Sequence, residues 1–431
     1  MTSAQINQPS GAREETVMVN AFREARTVPL WEQGVISLWF LVTFITMPGF
    51  TPIRYLLVLS FIGYFGLHYR TILPMMVKCW PLFLLPIFGM FSFLWSDYPS
   101  PAIRQGVLYL MTPFIIVVIA SRIELRIILR CFFFASVIAT LYTLTYYGTF
   151  ARGGPYASKN YLALHMTFAT FFALITALNT KEHSLIRLMA APFVPVCLAI
   201  VFMCNSATSA VLATVGTAGL FGVRFVWLSI TRMRHLRSVI MLSSFCAVLL
   251  GATVILNMPT NSFVNDFLGM MGKDTTLTGR TALWDAARMV SEDNPIKGVG
   301  LESFWQYDVG TAQTLNENDH KPFGTKLSFH NAYLEVRVHL GYIGFSLFWL
   351  IVGWCLIWTI YNWLRNPSME NSAMLVIAAI IFVSTFTESW LWSPLNALTN
   401  LFYLGAISTF SAGNRKYLGR IPVRIRRTAS A

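Results

Sequence analysis

The chain has 431 residues, 55% hydrophobic and 15% aromatic, and its 12% of charged residues is about half the share usual in a soluble domain. With a mean hydropathy of +0.57, that composition excludes an ordinary water-soluble fold and calls for a bilayer to cover the apolar surface. The formal charge of +13 raises nucleic acid as a partner, but the placement of the charges follows membrane topology instead.

Residues 1–32 hold Arg13, Arg23 and Arg26 among several acids, with no apolar core. They read as a cytoplasmic tail and not as a cleavable signal, so the first apolar segment serves as its own targeting signal. Apolar spans follow at 33–48, 52–69, 80–96, 104–121, 126–147, 161–178, 186–204, 208–230 and 237–257. After a polar stretch come 340–361, 372–388 and 395–411. Each is close to the ~20 residues a helix needs to cross the hydrocarbon core. No ten-residue alternation points to a barrel. The expected fold is an all-α polytopic membrane protein of about twelve transmembrane helices. Its organisation reads as tail (1–32), helices one to nine (33–257), a large loop (258–329), helices ten to twelve (330–411) and a basic tail (412–431). No internal repeat is evident.

Placing the N-terminus inside puts 21 of the 32 Lys and Arg residues on the cytoplasmic side. The short outer segments keep only Arg54, Arg104, Arg152 and Lys159, as the positive-inside rule expects. Both termini are then cytoplasmic and the large loop lies outside, in the periplasm of a Gram-negative cell. The C-terminal Arg415, Lys416, Arg420, Arg424, Arg426 and Arg427 read as a topology anchor in contact with anionic lipid. The six cysteines sit in or at the edge of apolar segments, with no spacing for disulfides or a metal.

Polar chemistry collects on the outer side. Within the loop, Asn261 to Met271 reads as an amphipathic stretch, and Gly279 to Val290 as a helix capped by Thr278. Leu283, Ala287 and Val290 form its packing stripe. Arg280, in the first turn beside free N–H groups, is either an ordinary salt-bridging arginine or a phosphate clamp. Pro295-Ile296-Lys297-Gly298-Val299-Gly300 makes a tight loop, not a dinucleotide fingerprint. Ser328 is expected to cap the next helix. His330 would then lie in its first turn, with Arg337 seven residues on and on the same face. His330 is either an interfacial anchor or a base beside an anionic leaving group. His339 reads as packing. Glu388, at the outer end of span eleven, needs a partner or a task. Arg104, Arg152 and Lys159 either pair with Asp97 and Glu388 or line a phosphate-attracting cleft.

These residues resemble the O-antigen ligase and Wzy-type polysaccharide polymerase superfamily. His330-Asn331, then nine residues, then Gly341-x-x-Gly344 looks like the family's His–Gly–Gly pattern. Gly279-Arg280-x-x-x-Trp284 with Asn294-Pro295 and Gly298-Val299-Gly300 matches a second motif. Trp95-Ser96-Asp97-x-Pro99 matches a third, and Ser158-Lys159-Asn160 looks like the family's His-Lys-Asn with Ser in place of His.

The resemblance implies a GT-C-like, metal-independent and inverting glycosyltransferase without a cofactor. Its donor would be an oligosaccharide on undecaprenyl pyrophosphate, and its acceptor the growing glycan. Arg280 would help hold the pyrophosphate and His330 would act on the acceptor hydroxyl. Arg337, Arg104, Arg152, Lys159, Asn331 and Glu388 complete the candidate substrate-binding set. The expected partners are the bilayer, the lipid-linked glycan, and chain-length and export proteins. Ligases of the family often carry Ser-x-Ser-Arg between spans seven and eight. Here the stretch is Asn205-Ser206-Ala207-Thr208, without the arginine, which favours an exopolysaccharide polymerase over a ligase. A flippase is the rival from another class, since twelve spans also suit a transporter.

Overall fold

A computed structural model of the chain describes residues 28–45, 47, 49–230, 239 and 280–411. The ninth predicted span apart from Val239, the stretch Asn261–Met271, Thr278, residues 1–27 of the N-terminal tail and the basic C-terminal tail lie outside the described residues, while residues 30–32, expected in the tail, begin the first helix. Among the described residues all regular structure is helical. Seven helices are long and apolar enough to cross a membrane, and four shorter apolar helices accompany them. Each of the other eleven predicted spans overlaps one of these. The protein is therefore a polytopic helical membrane protein.

The helices run in order α1 (Leu30–Phe44), α2 (Phe50–Lys78), α3 (Pro81–Phe91), α4 (Pro99–Arg122), α5 (Leu125–Leu144), α6 (Lys159–Leu178), α7 (Ser184–Ala190), α8 (Phe193–Met203) and α9 (Ala207–Phe221). After the undescribed stretch come α10 (Arg280–Asp293), α11 (Gly310–Asn318), α12 (Ala332–Arg365), α13 (Met369–Ser384) and α14 (Ala397–Ile407). Helices α6 and α14 are buried almost throughout and form the middle of the bundle. The hydroxyls of Thr167 and Thr170 donate to carbonyls four residues back, so these polar side chains sit in the apolar interior without an unmet donor. The long helix α2 keeps most of its apolar side chains outward, as a lipid-facing helix does. Cys79, Cys131, Cys197, Cys204 and Cys355 are free and buried.

A second, smaller core lies outside the bundle. Ala287 of α10, Phe304, Trp305, Ala312 and Leu315 of α11, Phe329 and Val338 are buried together, with Leu283 and Val290 packed against them. The predicted stripe of α10 is thus the face it buries.

This outer layer is locked to the bundle at a break in α12. Gly341 has φ 59° and ψ −158°, a region open in practice only to glycine. The break frees backbone groups, and residues 295–300 take them up. Val299 N donates to Val338 O at 3.0 Å, Gly300 N to His339 O at 2.9 Å, and Tyr342 N to Pro295 O at 2.8 Å. The approach is so close that a Cβ on Gly341 would lie 2.4 Å from the Ile296 carbonyl carbon. A Cβ on Gly298 would lie 2.5 Å from that of His339. The far side of the same loop rests on the third motif. Ser92 Oγ accepts the Leu301 N–H at 2.9 Å, Ser96 Oγ meets Ser303 Oγ at 2.5 Å, and Lys297 lies over the Trp95 ring. Tyr98 donates to Asp308, which pushes its phenol up to about 12.

Gly341→Ala should destabilise the purified protein by about 2–5 kcal/mol, adding overpacking to a forbidden backbone conformation. Gly34→Ala, whose Cβ would meet nothing within 4 Å, should stay within about 1 kcal/mol. Thermal unfolding midpoints in detergent check the pair; equal midpoints would mean that the break in α12 tolerates a side chain.

Candidate active site

His330 stands just ahead of α12, in a turn where several backbone directions change. Its φ is 49°, left-handed and uncommon outside glycine. The helix begins at Ala332, so the expectation that His330 lies in the first turn is corrected. The expected cap is corrected as well. Asn331, not Ser328, caps the helix, its Oδ1 accepting from Tyr333 N at 3.0 Å and Leu334 N at 3.1 Å. Asn331 Nδ2 donates to Phe386 O, so its side chain supports the turn instead of standing free for substrate. Ser328 Oγ accepts the N–H of His330 itself at 3.0 Å.

The facing segment follows α13. Ala332 N donates to Thr385 O, and Thr385 Oγ1 donates to Tyr333 Oη, which fastens the two turns to each other. Glu388 is thereby delivered to His330, 58 residues away in sequence. One carboxylate oxygen, Oε2, lies 2.9 Å from His330 Nδ1, and the other, Oε1, lies 2.8 Å from Arg280 Nη2. Arg280 Nη1 also donates to the Thr387 carbonyl at 2.7 Å. Trp284, one turn along α10, donates its indole N–H to Phe329 O at 2.9 Å. Arginine and glutamate side chains are 14% and 13% exposed, and the histidine 38%.

The chemistry of the cluster follows from donors and acceptors. An ionised carboxylate only accepts, so His330 Nδ1 carries the proton facing Glu388. Nε2 is then the basic nitrogen of the ring. A carboxylate behind a histidine fixes its tautomer and stabilises the imidazolium that forms when Nε2 takes a proton. The predicted loop arginine and the predicted histidine are held together through Glu388. A carboxylate so placed is suited to orient the base, which revises its expected role in binding an anionic donor.

The other candidates are not part of this cluster. Arg337 donates to Tyr342 Oη at 2.9 Å and lies over that ring. The same-face argument linking it to His330 fails, because His330 is outside the helix. Arg104, Arg152 and Lys159 are exposed. Among the described residues none of the three forms an ion pair with Asp97 or Glu388. Ser158 caps α6 by accepting from Tyr161 N. His339 is buried, hydrogen-bonded to Gly300 O and stacked on Trp392, in keeping with a packing role. One residue escaped the sequence reading: Glu335, a buried acid in the first turn of α12 that bonds the N–H of Phe329. An acid so close to a helix start, at the head of an apolar span, is a recognisable signal.

Two comparisons bear on this arrangement. A family model described as O-antigen ligase matches residues 192–349, a stretch that contains α10, the glycine loop, His330 and the break in α12. Over 366 residues the chain is 27% identical to the exopolysaccharide production protein ExoQ of Rhizobium meliloti (strain 1021), covering 80% of this chain and 82% of that protein. The motif glycines, His330 and Arg280, placed as described, all fall within the stretch that is similar to the O-antigen ligase family.

Proposed function

We propose that the protein is a membrane glycosyltransferase that polymerises undecaprenyl-pyrophosphate-linked oligosaccharide repeat units at the periplasmic face of the inner membrane. The observation that supports this most is the carboxylate of Glu388 held between Arg280 and His330. In this reading twelve spans place both termini in the cytoplasm and the loop between the ninth and tenth spans outside.

An acceptor sugar hydroxyl approaches His330 Nε2, which takes its proton. The hydroxyl oxygen forms a bond to the anomeric carbon of the donor. On the opposite face the bond to the pyrophosphate oxygen breaks, and its electron pair leaves with undecaprenyl pyrophosphate. The configuration at the anomeric carbon inverts. Glu388 holds the imidazolium until the proton passes to solvent. Arg280 spends two of its N–H groups on Glu388 and Thr387, and the guanidinium has others to direct at the leaving oxygens. Arg337, Arg104, Arg152 and Lys159 add positive potential around the site. The leaving group is already a good one, so the protein's task is to orient the reactants and match developing charge without a metal.

Exopolysaccharide production by the relative favours a polymerase, as does the lack of an arginine in the stretch Asn205-Ser206-Ala207-Thr208. The O-antigen ligase family description favours a second reading, transfer of the glycan to a lipid A core.

His330→Ala should accumulate in the membrane yet form no polymer. Glu388→Gln should lower kcat by about 10²–10⁴-fold, because an amide no longer enforces the tautomer or stabilises the imidazolium. Wild-type rates in either variant would remove that residue from the mechanism.

Reconstituted protein given lipid-linked repeat units, with and without lipid A core, distinguishes the readings. A ladder of polymer on the lipid is the expected product, and it should persist in the presence of a chelator. Transfer to the core alone would establish the ligase instead. Movement of the lipid across the bilayer without any transfer would replace both with a flippase.

A further inference from the structure

Glu335 has no place in the chemistry above, yet it touches both halves of the site from behind. Its side chain is 2% exposed. Oε1 accepts the Phe329 N–H at 2.7 Å and the Ser389 hydroxyl at 3.4 Å. Oε2 lies 3.6 Å from His339 Nε2. Phe329 is the residue before His330, and Ser389 the residue after Glu388. Ser389 Oγ also lies 3.3 Å from Ser328 Oγ, the group that accepts the His330 N–H.

The carboxylate is itself anchored from the loop side. His339 Nδ1 faces the carbonyl of Gly300 at 3.1 Å, and its ring stacks on Trp392. The glycine loop thus holds His339 beside Glu335, the Ser389 hydroxyl donates to Glu335, and Glu335 fixes the peptide unit between Ser328 and Phe329. That peptide lies one residue ahead of His330, whose φ of 49° is a conformation that relaxes unless its surroundings hold it. Burying a carboxylate to hold a loop is a poor route to stability, since an apolar residue of similar volume costs less desolvation. Its hydrogen bonds go to residues flanking His330 and Glu388.

We infer that Glu335 is a positioning residue, which sets the direction of the His330 imidazole by holding the Ser328–Phe329 peptide just ahead of it and the turn after Glu388. The inference rests on the reading that His330 takes the acceptor proton. It assigns Glu335 no contact with either sugar.

Kinetics of the full-length protein in liposomes test this, with lipid-linked repeat units isolated from the producing bacterium. Glu335→Ala should lower kcat by about 10–100-fold with KM within about twofold, the pattern of a misdirected base. Glu335→Gln should recover to within about fivefold of wild type, because its amide oxygen still accepts the Phe329 N–H. Wild-type kcat in Glu335→Ala, or a pure KM effect, would each overturn the inference. Should the alanine variant fail to accumulate, Glu335→Asp keeps the charge and withdraws the carboxylate. A lowered kcat there supports positioning, and a wild-type kcat refutes it. Wild-type polymerisation by His330→Ala alone would instead overturn the reading of the site itself.

Discussion

Glu388 has two oxygens, and each is taken by a different side chain at the edge of an apolar bundle. Without Arg280, the carboxylate would sit nearly buried beside a neutral imidazole, and its ionised form would lose its strongest partner. Without Glu388, the arginine would face the Thr387 carbonyl alone. Breaking one side of a buried pair costs about 3–5 kcal/mol, whereas the intact pair adds little over an apolar replacement. The pair is therefore a weak explanation for stability and a good one for orientation. It holds α10, which comes from the loop, against the turn after α13, and it leaves His330 with one nitrogen committed and one available.

Such an arrangement is useful only if the three pieces of chain that supply it cannot drift. The break at Gly341 provides that constraint. An unbroken helix would satisfy its own carbonyls and offer nothing to the loop. By leaving the helical path, residues 338–343 expose backbone groups that residues 295–300 fill. The glycines matter because two backbones meet there at a distance no side chain permits. The Trp95–Ser96 turn holds the outer side of the loop, so three motifs far apart in sequence are one packing unit. Phe304, Trp305 and Phe329 then bury the inner face of α10. Groups supported in this way keep their geometry better than groups on a free loop.

Much of this was legible in the sequence, and the failures have identifiable physical causes. Hydropathy located the spans because a bilayer imposes length and apolarity on each one independently. The motif residues Arg280, Trp284, His330 and the glycines were likewise visible. The register around His330 was misjudged. Ser328 and Asn331 are both competent caps, and choosing the first rotated every face inference by nearly a turn, which made Arg337 appear to return to His330. The pairing of Glu388 with both Arg280 and His330 depends on how α13 ends against the start of α12, and no local pattern encodes that meeting. Asn331 looked like a ligand-binding residue because caps and binding sites draw on the same side chains.

The charge balance of the cluster connects its geometry to its proposed chemistry. With His330 neutral, the arginine and the carboxylate cancel, so the resting cluster has no formal charge. A proton arriving at Nε2 makes it +1. In the proposed reaction that change falls in the step where the bond to the leaving group stretches and negative charge grows on the pyrophosphate. A permanently cationic site would bind the donor strongly before and after reaction, with equal gain for ground and transition states and a slower release of undecaprenyl pyrophosphate. A cluster that becomes cationic during transfer favours the transition state selectively, the condition for raising kcat and not merely lowering KM. The carboxylate between arginine and histidine is what sets the starting charge to zero, and this is a reason for an acid to stand at a site whose proposed donor is an anion.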